Sequence, residues 1–417
     1  MGNITKDVAV LEIRNRTFNL LVGYLNDGKI NCLYKKTFPL SCKLNDADIL
    51  NKETLAKDIS KICHIEDVEQ NLKLNIKEVV LVYPSYGLDV YRSSKTTNTV
   101  SPISRVDQID IDNVISLVRK ERVPKANTKI VEILPNKFEI DNGITSYTPP
   151  IGETSSAIGL DANVYALPTK MVTDYKECVG LANVNVVKEV IAPIGLSYYL
   201  QQNKYSKQTY LLIDFGYKST IVSFVGNCRV YGSTYFNFGY DLLINKVVEK
   251  FEIEEKEAKD LLDKFGLDLR VTRYNPPIIK KSREGGLHIE FKRDDLNTLI
   301  GEFYNEFISY LENSINTLLK SNPKLISNIR LCFYGEGVNI KGVKEYLKSH
   351  IQNNEVDFIY GNVIGVDDNE YLNCIGALYY SSFYKGSIDD INTSKKITNI
   401  KRENDVDEEY DETKDEL

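Results

Sequence analysis

The chain has 417 residues, of which 42% are hydrophobic and 27% charged, and its formal net charge is −7. This length allows roughly two to four domains with a large buried core, and the composition is that of an ordinary soluble globular protein. The charge gives no reason to expect a nucleic-acid partner, because neutralising phosphates requires a basic face.

Cysteine usage and the chain ends indicate the cytoplasm. The seven cysteines form no CxxC pair and the three histidines have no partner pattern, so we expect reduced core thiols and neither a histidine-based metal site nor a triad. The start, MGNITKDVAVLEIRN, lacks the apolar segment of a signal peptide, and no apolar run approaches the ~18 residues of a bilayer span. The final KDEL matches an ER-retention address, which we interpret as chance within an acidic tail.

Residues 7–38 alternate apolar runs with short polar turns. The first run closes at Glu12, the polar tetrad Arg14-Asn15-Arg16-Thr17 follows, and Asp27-Gly28 separates the next two runs. Asp-Gly between apolar runs is a strong hairpin signal, so this region predicts a meander of about three strands. A short amphipathic helix at 51–62 and a buried strand at Glu78–Tyr83 follow.

The pattern changes between residue 84 and about residue 163. A polar stretch at 91–108 leads to a helix around 110–120, then to two extended pieces and a Pro-Pro-Ile-Gly turn at 149–152. This pattern predicts a small inserted α+β subdomain. A strand at 162–167, a helix, a further strand and the close-packing helix APIGLSYYL then follow.

The stretch LLIDFGYKSTIVSFV, Leu211–Val225, repeats the strand–turn–strand pattern of the start. Asp214 closes the first strand, Gly216 lets the backbone bend, and Ser219 and Thr220 offer hydroxyl donors. Such a turn can hold phosphate with backbone N–H groups while the carboxylate holds a hydrated cation. By itself the stretch also fits an ordinary hairpin with a satisfied Asp. Two such units, closed by Glu12 and Asp214, predict a duplicated fold.

Later in the second half, Gly239 in NFGYD precedes a helix. The longest predicted helix follows at 295–320. Apolar residues recur along that helix at 3–4 spacing, which indicates a core-facing stripe. A strand, the Gly-rich turn Gly335-Glu336-Gly337 and a helix follow. Beyond residue 386 the sequence is charged and without apolar periodicity, so we expect disorder.

This order of elements resembles that of the actin-like ATPases, and several segments resemble the cell-division protein family FtsA. They are VEILPNKFEIDNG, GLDANVYALPT, NVNVVKEVIAPIGLSYYL, LLIDFGYKSTIVSF and EAKDLLDKFGLD, within a likeness over about residues 7–385. Members of that family carry their own subdomain inserted in the first half, where the α+β insertion lies here. The resemblance implies an α/β, actin-like fold with two ribonuclease-H-like lobes around a nucleotide cleft.

The resemblance divides the chain into five parts. They are a first lobe (1–83 and 164–206), an inserted α+β subdomain (84–163), a second lobe (207–240 and 325–385), its upper subdomain (241–324) and a disordered acidic tail (386–417). It implies an ATP pocket between the lobes and a hinge where two connecting helices cross, one with Ala192, Pro193 and Ser197 and the other with Gly376 and Ala377.

The implied nucleotide-binding residues come from three turns and one helix start. They are Glu12, Arg14, Asn15, Arg16, Asp214, Gly216, Lys218, Ser219, Thr220, Gly239, Gly335 and Gly337. Asp214 is also the candidate for holding Mg²⁺ through water. ATP and Mg²⁺ are therefore the implied cofactors.

The phosphate turns depart from the family pattern. Arg14 stands where the first turn has glycine, Thr17 where it has lysine, and Tyr217 and Lys218 replace two glycines of the second. A side chain at a φ > 0 position costs about 1–2 kcal/mol, whereas a cation near 4 Å from phosphate is attracted by about 4 kcal/mol at an effective dielectric near 20. We therefore expect any nucleotide binding to use side-chain charges, and we expect no turnover enzyme, because phosphoryl transfer also needs a positioned water and metal.

The resemblance implies that the chain binds the C-terminal peptide of FtsZ and forms filaments of its own. Lys292 and Arg293, before the long helix, are the candidate contacts for that acidic peptide, although they also fit a solvated helix start. The tail DVDEEYDETKDEL has no apolar face and the wrong sign for anionic lipid, so we expect an indirect membrane link through a partner. The expected location is the inner face of the cell membrane at the division site. The alternatives are an actin-like protein of pilus assembly or plasmid segregation and a sugar-kinase-like ATPase.

Overall fold

The computed structural model describes residues 6–383 and 401–402, except 43, 45–47, 68–71, 122, 203–204, 206–207, 269, 271–274, 283–287, 322, 327 and 367–368. The predicted disorder of the tail lies outside the described residues, apart from Lys401–Arg402. Within the described part of the chain, no helix has the length and apolar character that crossing a bilayer requires.

The first lobe is built from the predicted meander and its flanking helix. Its elements are β1 (Val8–Ile13), β2 (Thr17–Asn26), β3 (Lys29–Pro39), α1 (Lys52–Ile59), β4 (Ile65–Asp67), β5 (Leu72–Asn75) and β6 (Glu78–Tyr83). β1 pairs antiparallel with β2 and parallel with β6. All six residues of β1 are buried, which suits a strand covered on both faces.

The inserted subdomain follows β6 as a sheet with its own helix. Its elements are β7 (Asp89–Asn98), α2 (Gln108–Arg119), β8 (Thr128–Ile140), β9 (Ile144–Ser146) and β10 (Ala157–Pro168), with strand order β7-β10-β8-β9. Apolar residues of α2 and of the sheet form a separate core. The strand predicted at 162–167 begins earlier, at Ala157, and pairs with β7 and β8, so it belongs to this sheet.

The first lobe then resumes with α3 (Thr169–Leu181), β11 (Asn185–Ile191) and α4 (Ala192–Leu200). β11 pairs parallel with β6 and completes a sheet of order β11-β6-β1-β2-β3. Every residue of α4 is buried, since this helix lies between the lobes.

The second lobe repeats the same architecture. Its elements are β12 (Thr209–Phe215), β13 (Thr220–Gly226), β14 (Arg229–Phe236), α5 (Tyr240–Phe251), α6 (Glu255–Phe265), β15 (Pro277–Ser282), β16 (His288–Lys292), α7 (Arg293–Leu318), β17 (Arg330–Tyr334), α8 (Val343–His350), β18 (Val356–Phe358) and α9 (Leu372–Phe383). The sheet order is β14-β13-β12-β17-β18, with β12 antiparallel to β13 and parallel to β17. This order matches the first sheet strand for strand and confirms the predicted duplication. A further strand, β19 (Lys401–Arg402), lies outside this lobe and pairs antiparallel with β5.

The lobes meet where α4 crosses α9, as predicted for the hinge helices. A Cβ atom on Gly376 would lie 2.5 Å from the backbone nitrogen of Leu196, and one on Gly195 would lie 3.0 Å from the backbone nitrogen of Ala377. The two backbones therefore approach each other at a distance that side chains would prevent.

Candidate functional site

The β1–β2 and β12–β13 turns face each other between the lobes. In the first, the Arg14 amide donates to the carbonyl of Thr17 at 2.8 Å, and in the second the Gly216 amide donates to the carbonyl of Ser219 at 3.1 Å. These two amides are therefore engaged inside their own turns. None of Arg14, Tyr217 and Lys218 has a positive φ, so the strain considered for side chains at these positions does not arise.

The carboxylates at the two strand ends are linked by an amide from α9. Asn373 Nδ2 lies 2.8 Å from Glu12 Oε1 and 3.5 Å from Asp214 Oδ2, and Asn19 Nδ2 lies 3.4 Å from Glu12 Oε2. Glu12 is buried. Within the described residues, Asp214 Oδ1 and Asn373 Oδ1 are buried oxygens without a hydrogen-bond partner. Neither strand-end carboxylate stands alone at the floor of the cleft.

Arg14 fills the space that a glycine would leave open. Its Nη2 lies 3.5 Å from Glu336 Oε1 of the second lobe, and its Nη1 lies 3.5 Å from the Glu370 carbonyl. Burial by itself would lower the pKa of this guanidinium, but the carboxylates of Glu336, Glu12 and Asp214 outweigh it and raise the pKa. Burial raises the pKa of Asp214 to about 6, with Glu12 adding to the shift and Arg14 opposing it.

Arg16 makes a second connection between the lobes. Its Nη1 lies 2.5 Å from Glu255 Oε1, at the start of α6, and its guanidinium lies 4.3 Å from the centre of the Tyr217 ring. Lys259 Nζ lies 3.0 Å from the same Glu255 oxygen and 5.8 Å from the same ring. Hydrogen bonds from Arg16 and Lys259 lower the pKa of Glu255 to about 2. The mouth of the cleft is thus a cluster of two cations, one carboxylate and one aromatic ring.

Hydroxyl contacts form a third connection, beside the inserted subdomain. Tyr86 Oη lies 2.5 Å from Ser219 Oγ, and Ser85 Oγ lies 3.0 Å from Ser233 Oγ and 3.4 Å from Ser223 Oγ. These contacts join the segment after β6 to the second lobe.

A cavity of about 240 Å³ lies between these three connections. Seven of the predicted residues line it, namely Glu12, Arg14, Asn15, Arg16, Asp214, Gly216 and Ser219. The lining also includes residues that sequence reasoning missed, namely Tyr86, Tyr175, Lys259, Glu336, Glu370 and Asn373. One feature of the sequence could have identified Asn373, namely its position three residues before the hinge glycine Gly376.

The remaining predicted residues do not line this cavity. Thr220 is buried and donates from Oγ1 to the Phe238 carbonyl at 2.7 Å. Gly335 has φ +98°, and a Cβ there would lie 2.6 Å from the Phe215 carbonyl, while one on Gly337 would lie 2.5 Å from the Phe215 ring. These positions therefore require glycine for packing against Phe215.

Gly239 and Lys218 lie beside the second turn but outside the cavity lining. A Cβ on Gly239 would collide with the carbonyl of Tyr217. The first amides of α5 donate to the turn, from Tyr240 to the Gly216 carbonyl at 3.1 Å and from Asp241 to the Tyr217 carbonyl at 2.8 Å. This helix start is therefore bonded to the protein itself.

Three cations line the cavity together with four acidic residues, namely Glu12, Asp214, Glu336 and Glu370. Arg14, Arg16 and Lys259 line it, and Arg16 Nε is a buried donor without a partner among the described residues. No group of three or more His, Cys, Asp or Glu side chains in the described ranges is arranged to hold a metal. The volume also falls below the roughly 300–1,000 Å³ of pockets for drug-sized ligands, so this arrangement does not enclose a whole nucleotide.

The two residues proposed for an acidic peptide have different surroundings. Arg293 Nη2 donates to the Phe265 carbonyl at 2.9 Å and lies 3.6 Å from Asp268 Oδ2, so its charge is engaged within the upper subdomain. Lys292 is exposed, and its backbone amide donates to Asp295 Oδ2 at 2.7 Å. Only Lys292 presents its side chain to solvent.

The architecture is the actin-like fold. The chain is similar to a solved PilM–PilN type IV pilus biogenesis complex, with TM-score 0.58 and 12% identity over 90% of this chain and 99% of that chain. It is also similar to MreB5 of Spiroplasma citri bound to AMPPNP, with TM-score 0.50 and 11% identity over 90% of this chain and 96% of that chain. No protein-family profile matches the chain, and no curated protein matches its sequence. The likeness therefore establishes the actin-like fold.

Proposed function

We propose that the chain is an actin-like scaffold protein of the FtsA type. It binds the C-terminal peptide of FtsZ and holds FtsZ filaments at the inner, cytoplasmic face of the membrane at the division site. The observation that carries the proposal is the α+β subdomain between β6 and α3. An insertion at this point of the first lobe is the arrangement that the FtsA resemblance of the sequence implies.

The scaffold does not turn over ATP. Phosphoryl transfer needs carboxylates that are free to orient water and metal. Here Asn373 donates to Glu12 and approaches Asp214, and Arg14 lies among their charges. Replacing the contact between Asn373 and Glu12 would cost a hydrogen bond to a buried carboxylate. The cleft therefore acts at most as a binding site, and a partner protein supplies the link to the membrane.

Binding of a labelled FtsZ C-terminal peptide, followed by fluorescence anisotropy, tests this function. We expect saturable binding that Lys292→Glu weakens by about two- to fivefold, the range for one solvent-exposed charge pair. Lys57→Glu reverses the charge of another exposed lysine, on α1 of the first lobe, and serves as the matched control. Absence of binding by the wild-type chain would refute the FtsA-type function.

A second candidate is a scaffold of pilus assembly. It is favoured by the structural likeness to PilM, which was solved in complex with PilN. Affinity purification of the tagged chain from its own cells, with identification of the bound proteins, separates the two. Recovery of FtsZ supports the first function, whereas recovery of membrane proteins of pilus assembly without FtsZ supports the second.

A further inference from the structure

Two ion pairs cross the cleft and join the lobes. Both arginines come from the β1–β2 turn of the first lobe, while Glu336 follows β17 and Glu255 begins α6 in the second. Arg14 and Glu336 are separated by 3.5 Å, and Arg16 and Glu255 by 2.5 Å. We name these two pairs the cleft latch. They connect the lobes at two separate points.

The latch carboxylates hold the cations that a phosphate chain would need. Arg14, Arg16 and Lys259 all line the cavity, and Glu255 contacts two of them, Arg16 and Lys259. A carboxylate and a phosphate oxygen are interchangeable acceptors for a guanidinium, which often binds either of them in a two-pronged geometry. An anion that enters the cavity therefore meets cations that already contact carboxylates of the protein.

The cations retain some unused donor capacity. Arg16 Nε is buried without a partner among the described residues, although the same guanidinium bonds Glu255 through Nη1. The cavity of about 240 Å³ is large enough to admit small polar groups beside it. A whole nucleotide needs more space, so its entry requires the lobes to separate.

We propose that Glu255 and Glu336 are internal competitors for an anionic ligand of the cleft. A di- or triphosphate group binds Arg14, Arg16 and Lys259 by displacing these carboxylates, and this displacement releases the lobes from each other. The inference rests on the proposed function, since it describes how the scaffold is switched. The ligand chemistry is a phosphate chain, whether free or as part of a nucleotide.

Competition predicts that removing the latch carboxylates and removing a latch cation have opposite effects on the affinity for the anion. The double variant Glu255→Gln/Glu336→Gln removes the competing charges and should bind a fluorescent ATP analogue, without Mg²⁺, about tenfold more tightly than wild type. Arg16→Gln removes a cation and should bind it about tenfold more weakly. Each tenfold change corresponds to 1.4 kcal/mol. Asp260→Asn, an exposed carboxylate on the same helix α6, controls for net charge and should change the affinity less than twofold.

Unlabelled ATP and tripolyphosphate, used as competitors, distinguish the two sources of the ligand. Equal competition identifies the phosphate chain as the recognised group, and stronger competition by ATP adds recognition of the nucleoside; both support the inference. Hydrogen exchange provides the structural readout. The β1–β2 turn and the start of α6 should exchange faster in the double variant than in wild type, and ligand should raise exchange there in wild type.

Three results would overturn the inference. They are equal affinities of the double variant and wild type, an equal gain from Asp260→Asn, and no binding by any of the proteins. The FtsZ-peptide assay on the wild-type chain keeps the two proposals separate. If the latch fails its test, peptide binding still stands, and if peptide binding is absent, the anion measurements remain interpretable.

Discussion

Replacing Gly376 by alanine tests the close crossing of α4 and α9. The added Cβ atom would lie 2.5 Å from the backbone nitrogen of Leu196 and 2.6 Å from its Cα. Backbone atoms cannot turn away as a flexible side chain can, so the two helices must separate by roughly 1 Å to reach ordinary contact. Every residue of α4 is buried, and the displacement is therefore transmitted to both lobes.

Gly180 in α3 provides a matched control for this substitution. A Cβ atom there meets nothing within 4 Å. Alanine in place of glycine stabilises a helix by roughly 0.5–1 kcal/mol, and this gain applies to both positions. Overpacking typically costs about 1–3 kcal/mol, and this cost applies to Gly376 alone. The difference between the two variants therefore isolates the clash.

Urea denaturation followed by circular dichroism measures the free energies of unfolding. We expect Gly180→Ala to unfold at higher urea concentration than wild type and Gly376→Ala at lower, with a difference of about 1–3 kcal/mol and similar m values. If both variants gain the same stability, the helices tolerate the methyl group, and their crossing is not as close as the distances at Gly376 indicate.

Three further substitutions test buried polar contacts. Burial raises the pKa of Asp214 from 3.8 to about 6. The stabilising contribution of the protonated carboxyl is therefore present below pH 3.8 and is lost as pH rises through 6. The free energy of unfolding of Asp214→Asn should gain about 1–3 kcal/mol relative to that of wild type in urea titrations between pH 4 and pH 7. Tyr380 Oη lies 2.8 Å from Glu132 Oε2, and Tyr380→Phe should lower the free energy of unfolding by about 1–3 kcal/mol because it leaves a buried carboxylate short of a donor. Arg229 Nη2 donates to the Pro135 carbonyl at 2.9 Å, and Arg229→Ala should speed hydrogen exchange in β8 about tenfold because it removes a bond between the second lobe and the inserted subdomain.

Each of these expectations has a contradicting outcome. A gain from Asp214→Asn that stays constant across the pH range would exclude a raised pKa as its cause. Tyr310→Phe, at a tyrosine with 47% of its surface exposed, should change stability by less than about 0.5 kcal/mol; an equal loss there would exclude the buried contact as the reason. Unchanged exchange in Arg229→Ala would mean that the inserted subdomain is held by its other contacts.

Local sequence patterns predicted the main turns of the fold and the position of its inserted subdomain. The turns after Glu12 and Asp214 and the insertion after β6 follow from apolar runs and turn residues close together in the chain. Strand β7 was missed because its Ser, Thr and Asn residues give no apolar alternation. It forms because β10 lies beside it along its whole length. Strand pairing of that kind is a tertiary effect that a single segment does not contain.

The sequence predicted which turns form the cleft, but it did not predict what their side chains contact. Arg14 and Arg16 stood out as cations in a phosphate turn, yet their carboxylate partners come from elements more than 200 residues away in the chain. The resemblance assigns Gly335 and Thr220 to nucleotide; in the structure Gly335 packs against Phe215, and Thr220 donates to the Phe238 carbonyl. A motif identifies the residue types of a turn, and only the folded chain determines what each one contacts.

The hydroxyl contacts of Tyr86 and Ser85 with the second lobe have a mechanical consequence. Either hydroxyl of each pair can act as the donor, so these bonds can re-form with the roles exchanged after a small shift. If the latch opens, the lobes turn about the α4–α9 crossing as the pivot, and these hydroxyl contacts can follow the turn. Displacement then increases with distance from the pivot, and a small opening at the cleft becomes a larger swing at the far edge of the second lobe. In an assembly of identical subunits, such a swing would repeat at every junction and would change the pitch of the whole array.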